Sequence, residues 1–312
     1  MLPWLTSRYG NPSGGHAVAR AARQAVEEAR DELAEVLGCR ARELVFTSGG
    51  TESDNLAIAG VAGRVACSSI EHHAVLDAVR ARGGDVFDLG SVPRDVDLVS
   101  MMLVNNETGS IQSIDDIDAP LVHTDAVQAL PWLDVATAAA RADLVSVSAH
   151  KIGGPQGVGA LVVREGVRIE PLLHGGGQER ERRSGTHNVA GIVGFAAAVR
   201  ACKANPPDVV VQRDRLVAGL LRIDGCRPAV DLATTVAGIV QVHLDGVESE
   251  ALLVLLDRAG VCASAGASCA SGAIGHAEVL RLSLGWTTTD ADIDHALAVI
   301  PAAVAQLREK AA

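Results

Sequence analysis

Leu144-Val145-Ser146-Val147-Ser148-Ala149-His150-Lys151 is a short apolar run ending in a lysine, and it opens directly into Ile152-Gly153-Gly154-Pro155-Gln156-Gly157-Val158-Gly159. Small and β-branched residues in an unbroken run read as a strand buried on both faces. The glycine-rich stretch reads as a tight turn. The strand delivers Lys151 into a loop expected to hold its amine out of bulk water. Upstream, Leu121-Val122-His123-Thr124-Asp125 is a second short strand, ending in a carboxylate. Further apolar segments at 43–46, 98–104 and 160–163 alternate with helical stretches, the α/β pattern of a mostly parallel sheet.

Residues 16–37 carry Val18, Ala22, Val26, Ala29, Leu33 and Leu37 on one helical face, and Gly38 is a stop signal. Residues 47–51 read as a turn and 52–63 as a helix. Lys203-Ala204-Asn205-Pro206-Pro207-Asp208 breaks the alternation and marks a domain boundary. After it come a helix, a strand near 237–244, a helix over 248–259 and a C-terminal helix from Asp290. The expected division is a large domain over 1–204, with residues 1–15 packing near the small domain, and a small α+β domain over 205–312. No internal repeat or low-complexity tract is visible.

Apolar residues make up 48% of the chain and aromatic residues 2%, so the core must be built from Val, Leu, Ile and Ala. The net charge of −11, without a basic cluster, argues against direct nucleic-acid binding. No apolar run is long enough to span a bilayer, and the first residues do not read as a signal peptide. Six cysteines without CxxC pairing read as reduced thiols of a cytoplasmic protein.

A desolvated lysine can form a Schiff base with an aldehyde. With a strand-end aspartate to keep a pyridine nitrogen protonated, Lys151 and Asp125 are what pyridoxal phosphate (PLP) requires. Thr47-Ser48-Gly49-Gly50-Thr51, at a strand-to-helix junction, suits a phosphate through backbone N–H groups and hydroxyls. Adjacent His72 and His73 diverge on any regular element, and no HExxH-type spacing accompanies them. No metal site is expected; one histidine reads as an acid–base group and the other as surface. Cys269 lies in the small-residue loop Gly266-Ala267-Ser268-Cys269-Ala270-Ser271-Gly272, where a thiol is accessible and reactive. Cys262 is expected to be a buried structural thiol, and Cys39, Cys67, Cys202 and Cys226 have no reactive context. Arg281, alone in the apolar stretch Leu280 to Leu284, reads as the partner of a substrate carboxylate or of a structural ion pair.

The chain resembles the cysteine desulfurases of the class V aminotransferase family, within fold-type I PLP enzymes. The resemblance is carried by Tyr9-Gly10-Asn11-Pro12-Ser13, by Phe46 to Ala57, by Glu71-His72 and by Asn105-Asn106-Glu107-Thr108-Gly109. It continues through Asp125-Ala126-Val127-Gln128, Ser148 to Lys151, Gly175 to Arg180, Arg183 to Thr186 and the Cys269 loop. It implies a large domain with a mostly parallel seven-stranded sheet flanked by helices, and a small C-terminal α+β domain carrying the catalytic cysteine loop. It implies that Lys151 anchors PLP, Asp125 pairs with the ring nitrogen, Gln128 bonds the ring hydroxyl and His72 stacks on the ring and moves protons. Gly50, Thr51, Ser148 and His150 would hold the phosphate, and Thr186 would reach the phosphate of a neighbouring subunit in a homodimer. Asn106 and Arg281 would take the carboxylate of L-cysteine, and Cys269 would become a persulfide. Sulfur would pass to an acceptor protein, either an iron–sulfur cluster scaffold or a tRNA-thiolation enzyme.

Three departures from the family pattern stand out. A family segment expected before Met1 is missing, the stretches 86–98 and 114–122 are short, and only eleven residues separate Cys269 from Arg281. The last predicts a short tether and dependence on a docked acceptor. Two other readings stay open. An aminotransferase or a carbon–sulfur/selenium lyase of the same family would need Lys151 and Asp125 but not Cys269. A sulfur-relay scaffold would need no catalysis.

Overall fold

The run that ends at Lys151 is a strand over Leu144–Ser148, buried along its whole length. A computed structural model describes residues 1–266 and 278–311 of the chain. They form two units, Met1–Leu103 with Gln112–Pro206, and Val104–Ile111 with Pro207–Ala312.

The first unit is built on seven strands: β1 (Leu44–Thr47), β2 (Val65–Ser68), β3 (Asp85–Phe87), β4 (Leu98–Ser100), β5 (Leu121–Asp125), β6 (Leu144–Ser148) and β7 (Gly159–Val163), ordered β1-β7-β6-β5-β4-β2-β3. The pairs from β3 through β6 are parallel, and β7 runs antiparallel to both neighbours. This is the mostly parallel sheet read from the sequence. Its helices are α1 (Leu2–Leu5), α2 (Ala17–Val36), α3 (Gly50–Gly60), α4 (His73–Ala81), α5 (Val135–Ala138) and α6 (Val189–Ala204). On α2 the buried residues Ala19, Ala22, Val26, Ala29 and Leu33 make one stripe, and Gly38 ends the turn at φ +61. Both α1 and α2 pack on α6.

Leu56 and Ile58 of α3 and Val75 and Val79 of α4 pack with Leu98, Leu144 and Leu161 of the sheet in one apolar cluster. Among the described residues Phe195 is the only aromatic of the largest fully buried side chains, so aliphatic packing carries this core. Truncating one such leucine to alanine costs about 2–5 kcal/mol.

Helix α3 starts at Gly50, two residues before the helix expected at 52. Glu52 reaches back to the Ser48 N–H at 2.8 Å, and the Ser53 hydroxyl bonds Gly49 O at 3.0 Å, so the turn residues are drawn into the helix start. Strand β4 stops at Ser100 rather than continuing to 104.

The second unit holds α7 (Val210–Leu220), β8 (Cys226–Pro228), β9 (Ile239–Leu244), α8 (Ser249–Arg258), β10 (Val279–Ser283) and α9 (Asp290–Ala311). Among the described residues its three strands are antiparallel in the order β10-β9-β8. Residues 104–111 belong here because Ser110 bridges to Thr235 and Val104 bridges to Ile111. No described helix is long and apolar enough to cross a membrane.

Candidate active site

Strands β5 and β6 end side by side, and their register pairs Asp125 with Ser146. Beyond Ser148, the chain makes a 3-10 turn over Ala149–Ile152, closed by Gly153 at φ +74. That turn carries Lys151 past the strand end to where it acts electrostatically on Asp125. His72, the N-cap of α4, acts on the same carboxyl; its Nδ1 accepts from Ala74 N at 3.1 Å. Asp125 itself is 5% exposed, and its Oδ1 accepts from Val127 N at 2.8 Å. Burial raises its pKa above the usual carboxylate range, while the Val127 N–H and the charges of His72 and Lys151 work to hold it ionised. Two residues that the sequence singled out, Lys151 and His72, thus converge on a third, the buried carboxylate of Asp125. Lys151 departs from expectation in one respect: its side chain is exposed, because the 3-10 turn lifts it clear of the sheet.

A second cluster lies at the start of α3. A Cβ on Gly50 would come within 2.8 Å of Val127 Cγ2, so only glycine lets the helix start sit against the turn after Asp125. Gly159 is equally constrained, since a Cβ there would stand 2.7 Å from Gly49 Cα. Ser148 Oγ is 3.9 Å from where a Gly49 Cβ would stand and 2.8 Å from His150 Nδ1. Burial lowers the His150 pKa, and neighbouring Lys151 adds to the effect. A helix N-terminus flanked by a hydroxyl and an imidazole suits a phosphate group. Thr51 is exposed on the first turn of α3 and Gln128 is half-buried after β5. With Asp125 for a ring nitrogen and Lys151 for an aldehyde, these residues fit PLP.

His72 and His73 diverge as expected: their rings are 6.3 Å apart at 72°, and His73 faces Asp77 at 3.9 Å.

Thr186 is exposed in a loop held from beneath by Glu179. Glu179 is buried and accepts from Arg30 at 2.7 and 2.9 Å, from Phe46 N at 2.9 Å and from His187 at 2.6 Å. Burial alone would raise its pKa; the His187 and Arg30 bonds outweigh it and bring the carboxyl down to about 2. Glu179 lies within a stretch that carries the family resemblance but has no role of its own there, and Arg30 and His187 were not singled out by the sequence reading.

In the second unit, Arg281 lies on β10 and donates through Nη1 to Asn106 O at 3.1 Å. Among the described residues no carboxylate pairs with it, and its Nε is buried without a hydrogen-bond partner. That favours an anion receptor over a structural ion pair. Asn105 Oδ1 shapes the adjoining turn, accepting from the N–H groups of Glu107 and Thr108 at 3.0 and 2.9 Å. Cys262, expected to be buried, is exposed: Val261 takes the inward position of this extended stretch and the next side chain points out. Cys269 lies outside the described residues.

The family model for class V aminotransferases matches residues 1–296. The cysteine desulfurase IscS of Methanosarcina thermophila is 38% identical, over 99% of this chain and 88% of that protein. An IscS-like cysteine desulfurase of Mycobacterium tuberculosis is 40% identical, over 97% and 91%. A solved NifS-like protein superposes with a TM-score of 0.88 at 32% identity, covering 98% of this chain and 94% of that one. On its motifs, its sheet and these likenesses, the chain belongs to the class V aminotransferase family.

Proposed function

We propose that the protein is a PLP-dependent cysteine desulfurase that converts L-cysteine to L-alanine and leaves the sulfur as a persulfide on Cys269. The observation that carries this reading is the convergence of Lys151 and His72 on buried Asp125. Full-length relatives named cysteine desulfurase support it.

Lys151 would hold the cofactor, Asp125 its ring nitrogen, Gln128 its ring hydroxyl, and Gly50, Thr51, Ser148 and His150 its phosphate. When bound, PLP supplies an electron sink that makes the substrate Cα acidic. Arg281 orients the substrate by its carboxylate, with Asn106 beside it. Lys151 Nζ takes and returns protons at Cα, and His72 moves protons at the edge of the site. The Cys269 thiolate attacks the substrate sulfur. The S–S bond forms, the Cβ–S bond breaks with its electron pair to carbon, and a proton completes the methyl of alanine.

The reading extends to a cytoplasmic homodimer in which Thr186 reaches the partner subunit's phosphate site. It also includes an acceptor protein that feeds iron–sulfur cluster assembly or tRNA thiolation. Incubating the purified protein with L-cysteine and a thiol reductant should yield alanine and sulfide in equal amounts. Pyruvate in place of alanine would refute the assignment.

A further inference from the structure

Beside Asp125 lies a row of buried polar side chains to which the proposed reaction gives no part. Glu71, Ser100, His123, Ser146 and Asp54 are each no more than 6% exposed. They come from the turn before α4, from β4, β5 and β6, and from α3. Ser100 Oγ is 3.4 Å from Glu71 Oε1 and 2.8 Å from His123 Nδ1. On the other side of the ring, His123 Nε2 is 3.0 Å from Ser146 Oγ, which also faces the Asp54 carboxyl. Glu71 Oε1 further accepts from Met102 N at 2.8 Å and from Ser68 Oγ at 3.3 Å.

Two oxygens in this row, Asp54 Oδ1 and Glu71 Oε2, are buried without any hydrogen-bond partner. Among the described residues, Asp54 has only the His123 ring within ion-pairing distance, at 3.6 Å, and Glu71 has no cation. A buried carboxylate with a bare oxygen and no cation takes up a proton instead. Burial, reinforced by the charge of Asp125, raises Glu71 to about 8 and raises Asp54, while burial pushes His123 down to about 3. The charged or titratable groups facing the row are Asp125 on β5 and the buried Cys67 thiol on β2, with His72 at α4 and Lys151 acting through Asp125.

The directions of the bonds then follow from donor counting. A protonated Asp54 donates to Ser146, and Ser146 donates to His123 Nε2. The ring proton therefore sits on Nδ1 and is given to Ser100, which donates to Glu71 Oε1. If Asp54 were ionised the row would reverse: Ser146 would donate to Asp54, and Nε2 would have to carry the ring proton.

We propose that Asp54, Ser146, His123, Ser100 and Glu71 form an uncharged, proton-ordered chain of positioning residues, with His123 as its Nδ1–H tautomer, that leaves Asp125 the single buried anion of the site. Of the three buried carboxyls, only Asp125 has the positive neighbours His72 and Lys151 beside its N–H donor, so the charge rests there. The chain also ties together the three elements that carry the proposed site: α3, the strand end at Asp125 and the turn bearing His72. The link to cofactor binding rests on the function proposed above; the protonation pattern does not.

The test is nitrogen-15 NMR of the full chain labelled at histidine and freed of cofactor, from about pH 5 to about pH 8, with His123→Gln to assign the signal. The expected result is a neutral ring protonated at Nδ1 throughout. An Nε2–H tautomer, or a doubly protonated ring paired with Asp54, would overturn the proposal. Asp54→Asn should keep the Nδ1–H form, because the amide N–H replaces the acid as donor to Ser146; a flip to Nε2–H there would also contradict it. Carbon-13 shifts of the carboxyls should show acids at Asp54 and Glu71 and an anion at Asp125, and the reverse pattern would count against it. A protein with this tautomer that makes no alanine would defeat the desulfurase reading alone, while an active enzyme with the other tautomer would defeat this inference alone.

Discussion

Replacing Glu179 by alanine should release the loop that carries Thr186. The carboxyl accepts four hydrogen bonds, two from Arg30 and one each from Phe46 N and His187. Its pKa falls from 4.5 to about 2, and about 1.36 kcal/mol per pH unit makes this about 3 kcal/mol at neutral pH. Both side chains of the Arg30–Glu179 pair are at most 3% exposed, so solvent screens the pair little. Breaking a buried pair costs about 3–5 kcal/mol, which agrees. The ties also hold a strained turn: Glu179, Arg180 and Glu181 have φ of 51°, 57° and 66°, at about 1–2 kcal/mol each for non-glycine residues. Amide hydrogen exchange of residues 177–187 reads the local opening. In Glu179→Ala the Ser184 and Gly185 amides, which bond Leu173 O and Gln178 Oε1, should exchange about a hundredfold faster. In the parent, a group with a depressed pKa stabilises above its unfolded value, so the protection should be present above about pH 4.5 and fade towards pH 2. Unchanged exchange of this segment in Glu179→Ala would refute the reasoning.

Lys151→Ala should lose the yellow absorbance of bound PLP and all turnover, read by spectroscopy and alanine assay on one preparation. Arg281→Lys should raise KM for L-cysteine about tenfold or more while leaving PLP affinity alone, because an ammonium cannot reproduce the bidentate fork. Glu71 has a folded pKa of about 8 against 4.5, so its contribution is full below about pH 4.5 and is lost as pH rises towards 8. Glu71→Gln should remove that decline from a series of urea midpoints, and a parent stability that is flat over this range would contradict the assignment.

Lys151 and Asp125 were legible because each ends a short apolar run, and strand ends in such sheets are where side chains emerge from the core. Five of the seven strands follow from the same alternation; β2 and β3 were not read from it, and the number seven was implied by the family resemblance. What the sequence hid depends on contacts distant along the chain. Arg30 and Glu179 meet across 149 positions, and no local pattern marks them as partners. His123 reads as one polar residue in an apolar strand, and its meaning comes only from Ser100 and Ser146 on the flanking strands. Three successive left-handed residues at 179–181 lack glycine, the usual marker, since buried bonds rather than backbone freedom hold them there. Cys262 was misread because an apolar flank looks the same whether an extended residue points in or out.

The most direct test of the central claim is mass spectrometry of the protein after brief exposure to L-cysteine without reductant. The account predicts one added sulfur atom on the peptide bearing Cys269, absent in Cys269→Ser even though that variant still binds PLP, and no such adduct on exposed Cys262. An added sulfur on Cys262 that survives in Cys269→Ser would contradict it.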